Sequence, residues 1–298
     1  MGFSGRAFNT LVLVFVATTL LAVGLGTTGK MLRSTIGNAP LLLGALVANL
    51  TLIPALGWAL AETFAPNGPT FIVLVLAGAS PGGPFGAKLA QVQRGDAVAG
   101  AALMAILAVI GSLTVPVTAA FILSTAHIGG VDEISIAVGA LIVRIVISQV
   151  VPFAIGVAFR ATSARTASRA QPAALLMSTI SFVILLAWIL IEGFADVVGL
   201  AGSFLLAAPA LTVLAVLLGA LLAPGPAVIR TTAGAIAGVR NAPPMLAVIA
   251  AEFADEPGIF AAVAAIVLVE LFLQLPWNLW LARRRARAGK QRPIRSAR

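Results

Sequence analysis

The chain has 298 residues, of which 60% are hydrophobic and 10% charged, with a formal net charge of +9 and a pI near 11.7. A water-soluble domain carries roughly a quarter charged residues, so an ordinary soluble fold is excluded. There is no cysteine, which removes disulfides, thiolate metal sites and a cysteine nucleophile, and nothing around the single histidine, His127, supports a serine–histidine triad.

The apolar residues do not form one amphipathic stripe. They form long runs, each of about the 17–25 residues that a helix needs to cross a bilayer. Lipid tolerates no unpaired backbone, so such runs predict helices, and the short alternating strands of a membrane barrel are absent. In chain order the predicted segments are 9–27, 38–61, 69–93, 97–125, 134–159, 172–192, 196–223, 227–251 and 257–281, nine in all. Arg6 before the first run resembles a signal peptide, but no small-residue cleavage site with a polar continuation follows, so a retained helix is expected. The loops are short. The expectation is an all-α membrane protein forming one transmembrane unit over 1–298, with a basic tail at 283–298.

Charge then orients the segments. Lys30, Arg33, Arg94, Arg160, Arg165, Arg169, Arg230 and eight tail cations lie on one side, fifteen in all, against Arg6 on the other. Glu62, Asp132, Glu133, Glu192, Asp196, Glu252, Asp255 and Glu256 lie opposite, with Asp96 alone on the basic side. The positive-inside bias predicts a cytoplasmic C-terminus and, with an odd helix number, an outside N-terminus in the inner (plasma) membrane. The tail has no aromatic residue to stack on a base. Its charge therefore reads as topology and lipid-surface anchoring, and no nucleic-acid partner is expected.

The third and eighth segments are not ordinary. The third carries Ser80-Pro81-Gly82-Gly83-Pro84-Phe85-Gly86-Ala87-Lys88, and the eighth carries Gly234-Ala235-Ile236-Ala237-Gly238-Val239-Arg240-Asn241-Ala242-Pro243-Pro244. Such Pro and Gly density cannot hold a regular helix. A pair of kinks is the plainer reading; two breaks in separate halves, each beside a cation, favour a transporter with a midplane site. Pro84 is suited to open a half-helix, and Asn241 before Pro243-Pro244 reads as an N-cap. Each start would present free N–H groups and partial positive charge. The expected anion site is lined by Pro81, Gly82, Gly83, Pro84, Lys88, Arg240 and Asn241, with Asn49 of the second segment. The alternative for Lys88 is that it snorkels to the cytoplasmic surface.

Two more charges lie inside apolar runs, Arg144 in the fifth segment and Glu270 in the ninth, and each needs a partner or water. Similar depth favours an Arg144–Glu270 pair, with Ser148 and Gln149 on the same face. A Glu270–Arg240 pair is the alternative, and it makes Glu270 a candidate proton-coupling group. Trp58, Trp188, Trp277 and Trp280 read as interfacial anchors.

Ser80-Pro81-Gly82-Gly83 followed by Arg94-Gly95-Asp96 resembles the Cys-Pro-Gly-Gly…Arg-Gly-Asp/Asn stretch of the bile acid:sodium symporter family. Gly24-Leu25-Gly26, Asn49 with Pro54, and Gly238-Val239-Arg240-Asn241 fall where that family has related motifs. The resemblance covers essentially the whole chain. It implies two inverted repeats, a core with two crossed discontinuous helices, and a panel that moves against it, in a nine-helix variant. The positions that the family uses for sodium hold Gly86, Ala87, Gly100, Met104, Ile236 and Arg240, with Asn49 as the one polar replacement. The resemblance thus implies a secondary transporter of an organic anion by alternating access, with the usual sodium sites gone and Lys88 and Arg240 in place of bound cations. No cofactor, metal or enzymatic activity is expected. The alternatives are a sodium-coupled symporter with rebuilt sites, and an anion channel or non-transporting membrane sensor.

Overall fold

The computed structural model describes residues 6–65, 68–125, 138–200, 202, 204–253 and 256–290, and every regular element among them is a helix. His127, Asp132, Glu133, Asp255, the first residues of the predicted fifth segment and the end of the tail fall outside the described residues.

The helices are α1 (Arg6–Gly26), α2 (Gly29–Ile36), α3 (Ala39–Val47), α4 (Ile53–Phe64), α5 (Gly68–Ala79), α6 (Pro84–Val92), α7 (Ala97–Thr125) and α8 (Val138–Ile145). They continue with α9 (Val151–Thr162), α10 (Ala164–Glu192), α11 (Phe194–Gly199), α12 (Phe204–Leu222), α13 (Ala227–Ala237), α14 (Ala242–Glu252) and α15 (Pro257–Lys290). Among the described residues eight stretches are long and apolar enough to cross a membrane, up to nine when the bent pair α5–α6 is taken as one span. That matches the predicted count. The differences lie at the ends: α10 begins eight residues before the predicted start at 172, and α15 continues as helix to Lys290, through the start of what reads as a tail. The seventh span begins at Phe204, with residues 196–199 in the separate short helix α11, and the basic loop after α1 folds as α2, capped by Thr28.

Two π-turns interrupt otherwise continuous spans, Ala48–Leu52 between α3 and α4 and Val146–Val150 between α8 and α9. Each is followed two residues later by a proline, Pro54 and Pro152. Proline offers no N–H to the carbonyl four residues back and its ring presses on that carbonyl, and a wider turn relieves the conflict. The first of these turns carries Asn49, which is buried.

The spans sort into two groups. α1, α9 and α10 pack closely on one another, with α8 leading into α9. At the α1–α9 contact an added Cβ on Gly24 would sit 2.2 Å from the Phe153 carbonyl oxygen, so only glycine permits the approach. Thr19 and Ser178 join α1 to α10 through a 2.6 Å hydroxyl bond. The second group surrounds the two broken spans: α3–α4, α5–α6, α7, α12, α13–α14 and α15. The groups meet where α1 lies on α14, where Phe8 packs edge-on against Trp188 and Phe260, and where Ser112 donates to Gln149 Oε1 at 2.9 Å.

One end of the second group is tied by side chains. Arg94 takes a positive φ of 57°, which turns the chain between α6 and α7. Asp96 caps α7 by accepting the N–H groups of Val98 and Ala99 at 3.0 and 2.8 Å, while its own N–H donates to Thr232 Oγ1 at 2.9 Å. Gln93 Nε2 donates to the Thr231 carbonyl at 3.0 Å. Arg285 donates to the Gln93 carbonyl at 2.7 Å and to Thr231 Oγ1 at 2.6 Å. The Arg-Gly-Asp motif is thus a turn locked to α13 and to the last turns of α15. These contacts also put the α6–α7 turn, the start of α13 and the end of α15 on one side, as the loop charges predict.

Candidate substrate site at the crossing of the broken helices

The half-helices are each about half a bilayer long: α5 has 12 residues, α6 9, and α13 and α14 11 each. At 1.5 Å per residue they span roughly 14–18 Å against a hydrocarbon core of about 30 Å, which puts both breaks near mid-depth. α6 turns away from α5 by 66°, whereas α13 and α14 continue as one span, Ala227–Glu252.

The two breaks bond to each other. Gly83 N–H donates to the Val239 carbonyl at 2.8 Å, and Asn241 N–H donates to the Ser80 carbonyl at 3.4 Å. Gly82 N–H donates to Asn49 Oδ1 at 3.3 Å, and Arg240 N–H to Glu270 Oε2 at 3.2 Å. The backbones approach this closely because a Cβ on Gly83 would lie 2.7 Å from the Arg240 carbonyl oxygen, and one on Gly86 2.8 Å from Ile236 Cα. In lipid an unpaired amide costs several kcal/mol, so the crossing serves to satisfy the interrupted ladders. The N–H groups of Gly82, Gly83, Arg240 and Asn241, just ahead of the two half-helix starts, are thus all taken up within the protein.

What remains open is side-chain chemistry. Arg240 is 3% exposed; its Nη2 donates to Asn49 Oδ1 at 3.0 Å and to the Ala237 carbonyl, while Nε and Nη1 have no partner. Asn49 is held in turn by its Nδ2 bond to the Ala45 carbonyl at 2.9 Å, so one amide oxygen joins both breaks. Asn241 stands at the N-cap position of α14, but its side chain makes no cap bond, and both its polar atoms are unpartnered. Ser80 Oγ is likewise buried without a partner. Groups of this kind are rare in folded proteins and mark a place for water, an ion or a ligand.

A second set was missed in the sequence. Glu270, Gln274 and Asn278 follow one another at four-residue intervals on α15, 5%, 3% and 1% exposed. Gln274 lies against Gly238 at the end of α13, with both side-chain polar atoms unpartnered, and Asn278 Oδ1 is unpartnered too. The signal was present as three polar residues at helical spacing within the apolar run 257–281.

Two expectations are corrected. Arg144 is exposed and lines a shallow crevice with Asn9, Val12, Ser148 and Ala247; it does not pair with Glu270, which instead takes the N–H of Arg240 and the charge of its side chain. Depth alone suggested the Arg144 pair, but the rotation of α8 turns that guanidinium outward. Ser148 shares the crevice with Arg144, whereas Gln149 faces Ser112 on α7. Lys88 is not brought to the crossing either. It lies on an exposed stripe of α6 with Phe85 and Gln91, while Gly86 and Leu89 face Ile236, Ala235 and Val239. Pro81, Gly82 and Gly83 are buried; Pro84 opens α6 as expected, and the Pro81 ring packs on Gly111 of α7. Trp188 packs into the core against Phe8, while Trp277 and Trp280 stack at the surface with Arg284 over Trp280.

The positions that the resemblance assigns to sodium do come together, but as hydrocarbon. Ala87 and Met104 share a cluster with Val23 and Ala105, and Ile236 lies against Gly82, Gly86 and Gly100. A hard cation needs several oxygens, and this set offers from its side chains only Asn49 Oδ1, which already accepts from Gly82 and Arg240. Among the described residues no group of three His, Cys, Asp or Glu side chains could hold a metal ion.

The family model for the sodium bile acid symporter family matches residues 10–200 of this chain. The chain belongs to that family. Its members are membrane transporters of organic anions. No curated protein matches the chain. The matched region contains the first break, Asn49 and the Arg94-Gly95-Asp96 turn; the second break and α15 lie beyond it.

Proposed function

We propose that this protein is a secondary transporter of a small organic anion, working by alternating access without sodium, with the guanidinium of Arg240 as the fixed positive charge of its site. The observation that carries this reading is the guanidinium bonded to Asn49 Oδ1 inside the crossing, with two donors still unpaired. A carboxylate or sulfonate accepts from just such a fork. A sodium ion about 4 Å from that charge would meet a repulsion of about 4 kcal/mol at an effective dielectric near 20, about a thousandfold in affinity. Lys88, exposed one turn into α6, is assigned to the approach of the anion and not to its binding. The group α1, α8–α9 and α10 is the candidate panel, and the six spans around the breaks the candidate core. The basic end faces the cytoplasm, no cofactor takes part, and no bond is made or broken.

A thermal-shift screen of carboxylates and sulfonates on the purified protein identifies the ligand class. Uptake of the hit into proteoliposomes, with sodium replaced by choline or potassium at fixed pH, is expected to be unchanged. Arg240→Gln is expected to abolish binding, with Arg240→Lys a partial rescue. A steep, saturable sodium dependence would favour the second reading, a symporter with a rebuilt site, for which the unpartnered oxygens of Ser80 and Asn241 beside Glu270 are the available ligands. Counterflow of labelled ligand separates a carrier from a channel or a sensor.

A further inference from the structure

A buried carboxylate remains that the reading above does not use. Glu270 is 5% exposed in mid-span, and one of its oxygens holds the backbone N–H of Arg240 at 3.2 Å. A carboxylate with no second function at this depth is costly, and such groups in membrane proteins mark ion or proton paths. We propose that Glu270 is the proton site of this transporter, and that one proton accompanies each monovalent anion. The proposal rests on Arg240 being the anion site.

Its surroundings fit that role. The one charged side chain that the described residues bring to Glu270 is Arg240. Of the helices packed against α15, α5 and α12 carry no titratable residue. α6 carries only the exposed Lys88, α11 only Asp196 and α14 only Glu252 at its last position, while Arg165, Arg169 and Glu192 of α10 lie at its ends. From Glu270 the path continues along α15. Gln274 and Asn278 follow at one-turn intervals, roughly 6 Å each, toward the end where Arg285 is docked. Both residues carry unpartnered amide atoms, so a proton path from the basic side to the carboxylate has a polar station at each turn. On its other side Glu270 abuts the crossing, where Ser80 and Asn241 also have unpartnered atoms.

The chemistry balances. With Glu270 ionised, its charge offsets that of Arg240. When an anion docks on the guanidinium, two negative groups would share one cation. A proton from water then adds to a Glu270 oxygen, the carboxyl becomes neutral, and the site keeps the same total charge. On release of the anion the carboxyl returns its proton to water on that side. The cycle carries one anion and one proton, and no net charge crosses with them.

The first test needs no transported ligand. Infrared spectra of the protein in lipid nanodiscs are recorded from about pH 9 to about pH 6, above the range in which a carboxyl in water takes up its proton. The carbonyl stretch of one protonated carboxyl is expected to grow as the pH falls, to shift in Glu270→Asp and to vanish in Glu270→Gln. Benzenesulfonate, a permanent anion, is expected to enlarge the band in the wild type. A band that is constant over the range, or that Glu270→Asp leaves in place, overturns the proposal, even where Glu270→Gln does not fold. In proteoliposomes, benzenesulfonate and pyruvate serve as labelled probes beside an entrapped pH dye. The expected ratio is one proton per anion in the wild type and none in Glu270→Gln, whatever its residual rate. Counterflow with no proton movement defeats the proton role alone. Loss of counterflow for both probes counts against the transport reading, and the infrared titration then still decides on Glu270.

Discussion

Replacing Arg240 by leucine removes the guanidinium bonds to Asn49 Oδ1 and the Ala237 carbonyl and leaves Glu270 without its counter-charge. Hydrogen bonds to charged groups are worth about 1.5–3 kcal/mol each, and breaking a buried ion pair from one side costs about 3–5 kcal/mol. We expect Arg240→Leu to lose roughly 4 kcal/mol, which at about 2–3 °C per kcal/mol lowers Tm by about 10 °C. Glu270→Leu alone, which leaves a buried guanidinium with one charge partner fewer, is expected to cost a comparable amount. The double variant Arg240→Leu/Glu270→Leu has no unpaired charge, and is expected to recover at least about 1 kcal/mol relative to the sum of the singles. Arg144→Leu is the control. That side chain does not touch Glu270, so its effect is expected to be additive with Glu270→Leu. Thermal unfolding in one detergent, followed by the fluorescence of the four native tryptophans, measures all five variants on one scale. Strict additivity of Arg240→Leu and Glu270→Leu, or a strong coupling of Glu270 to Arg144, would refute the charge arrangement described here.

Three further outcomes are expected. Because the chain has no native cysteine, Ser163→Cys in the α9–α10 turn and Glu192→Cys at the other end of α10 each give one thiol; an impermeant maleimide on spheroplasts is expected to label the second and spare the first, and the reverse would invert the topology. Gly83→Val places carbon against the Arg240 carbonyl and is expected to separate the breaks, costing about 1–3 kcal/mol or more and abolishing binding of the anion found in the thermal-shift screen; a variant with normal stability and affinity would show that the crossing is not tight. Arg285→Ala removes two charged hydrogen bonds to the α6–α7 turn and α13, and is expected to lower Tm by several degrees and to raise hydrogen exchange at Arg94-Gly95-Asp96; unchanged exchange there would mean that α15 does not tie this end.

Much of this protein can be read from its sequence because the bilayer leaves the chain few choices. Spans appear as apolar runs, since only helices satisfy their own backbone in lipid, and the two breaks appear as Pro–Gly clusters, since those residues cannot continue a ladder. Pro84 at the start of α6 and Asn241 at the start of α14 follow from the same local rules. Helix ends were less legible: α10 and α15 run on through polar and basic residues that are helix formers once outside the apolar run. Rotation about a helix axis was not legible at all. Arg144 and Glu270 sit at similar depth, and only the packing of α8 on α7 and of α15 on α5 turns one outward and the other onto Arg240. Lys88 and Arg240 both adjoin breaks, yet α6 turns Gly86 and Leu89 toward α13 and so leaves Lys88 exposed. The fate of the break amides was equally a tertiary matter. The sequence marks Gly83 and Asn241 as released from their helices, but which groups receive their N–H bonds depends on two segments more than 150 residues apart meeting at mid-membrane, where an unpaired donor is costly enough to make them bind each other first.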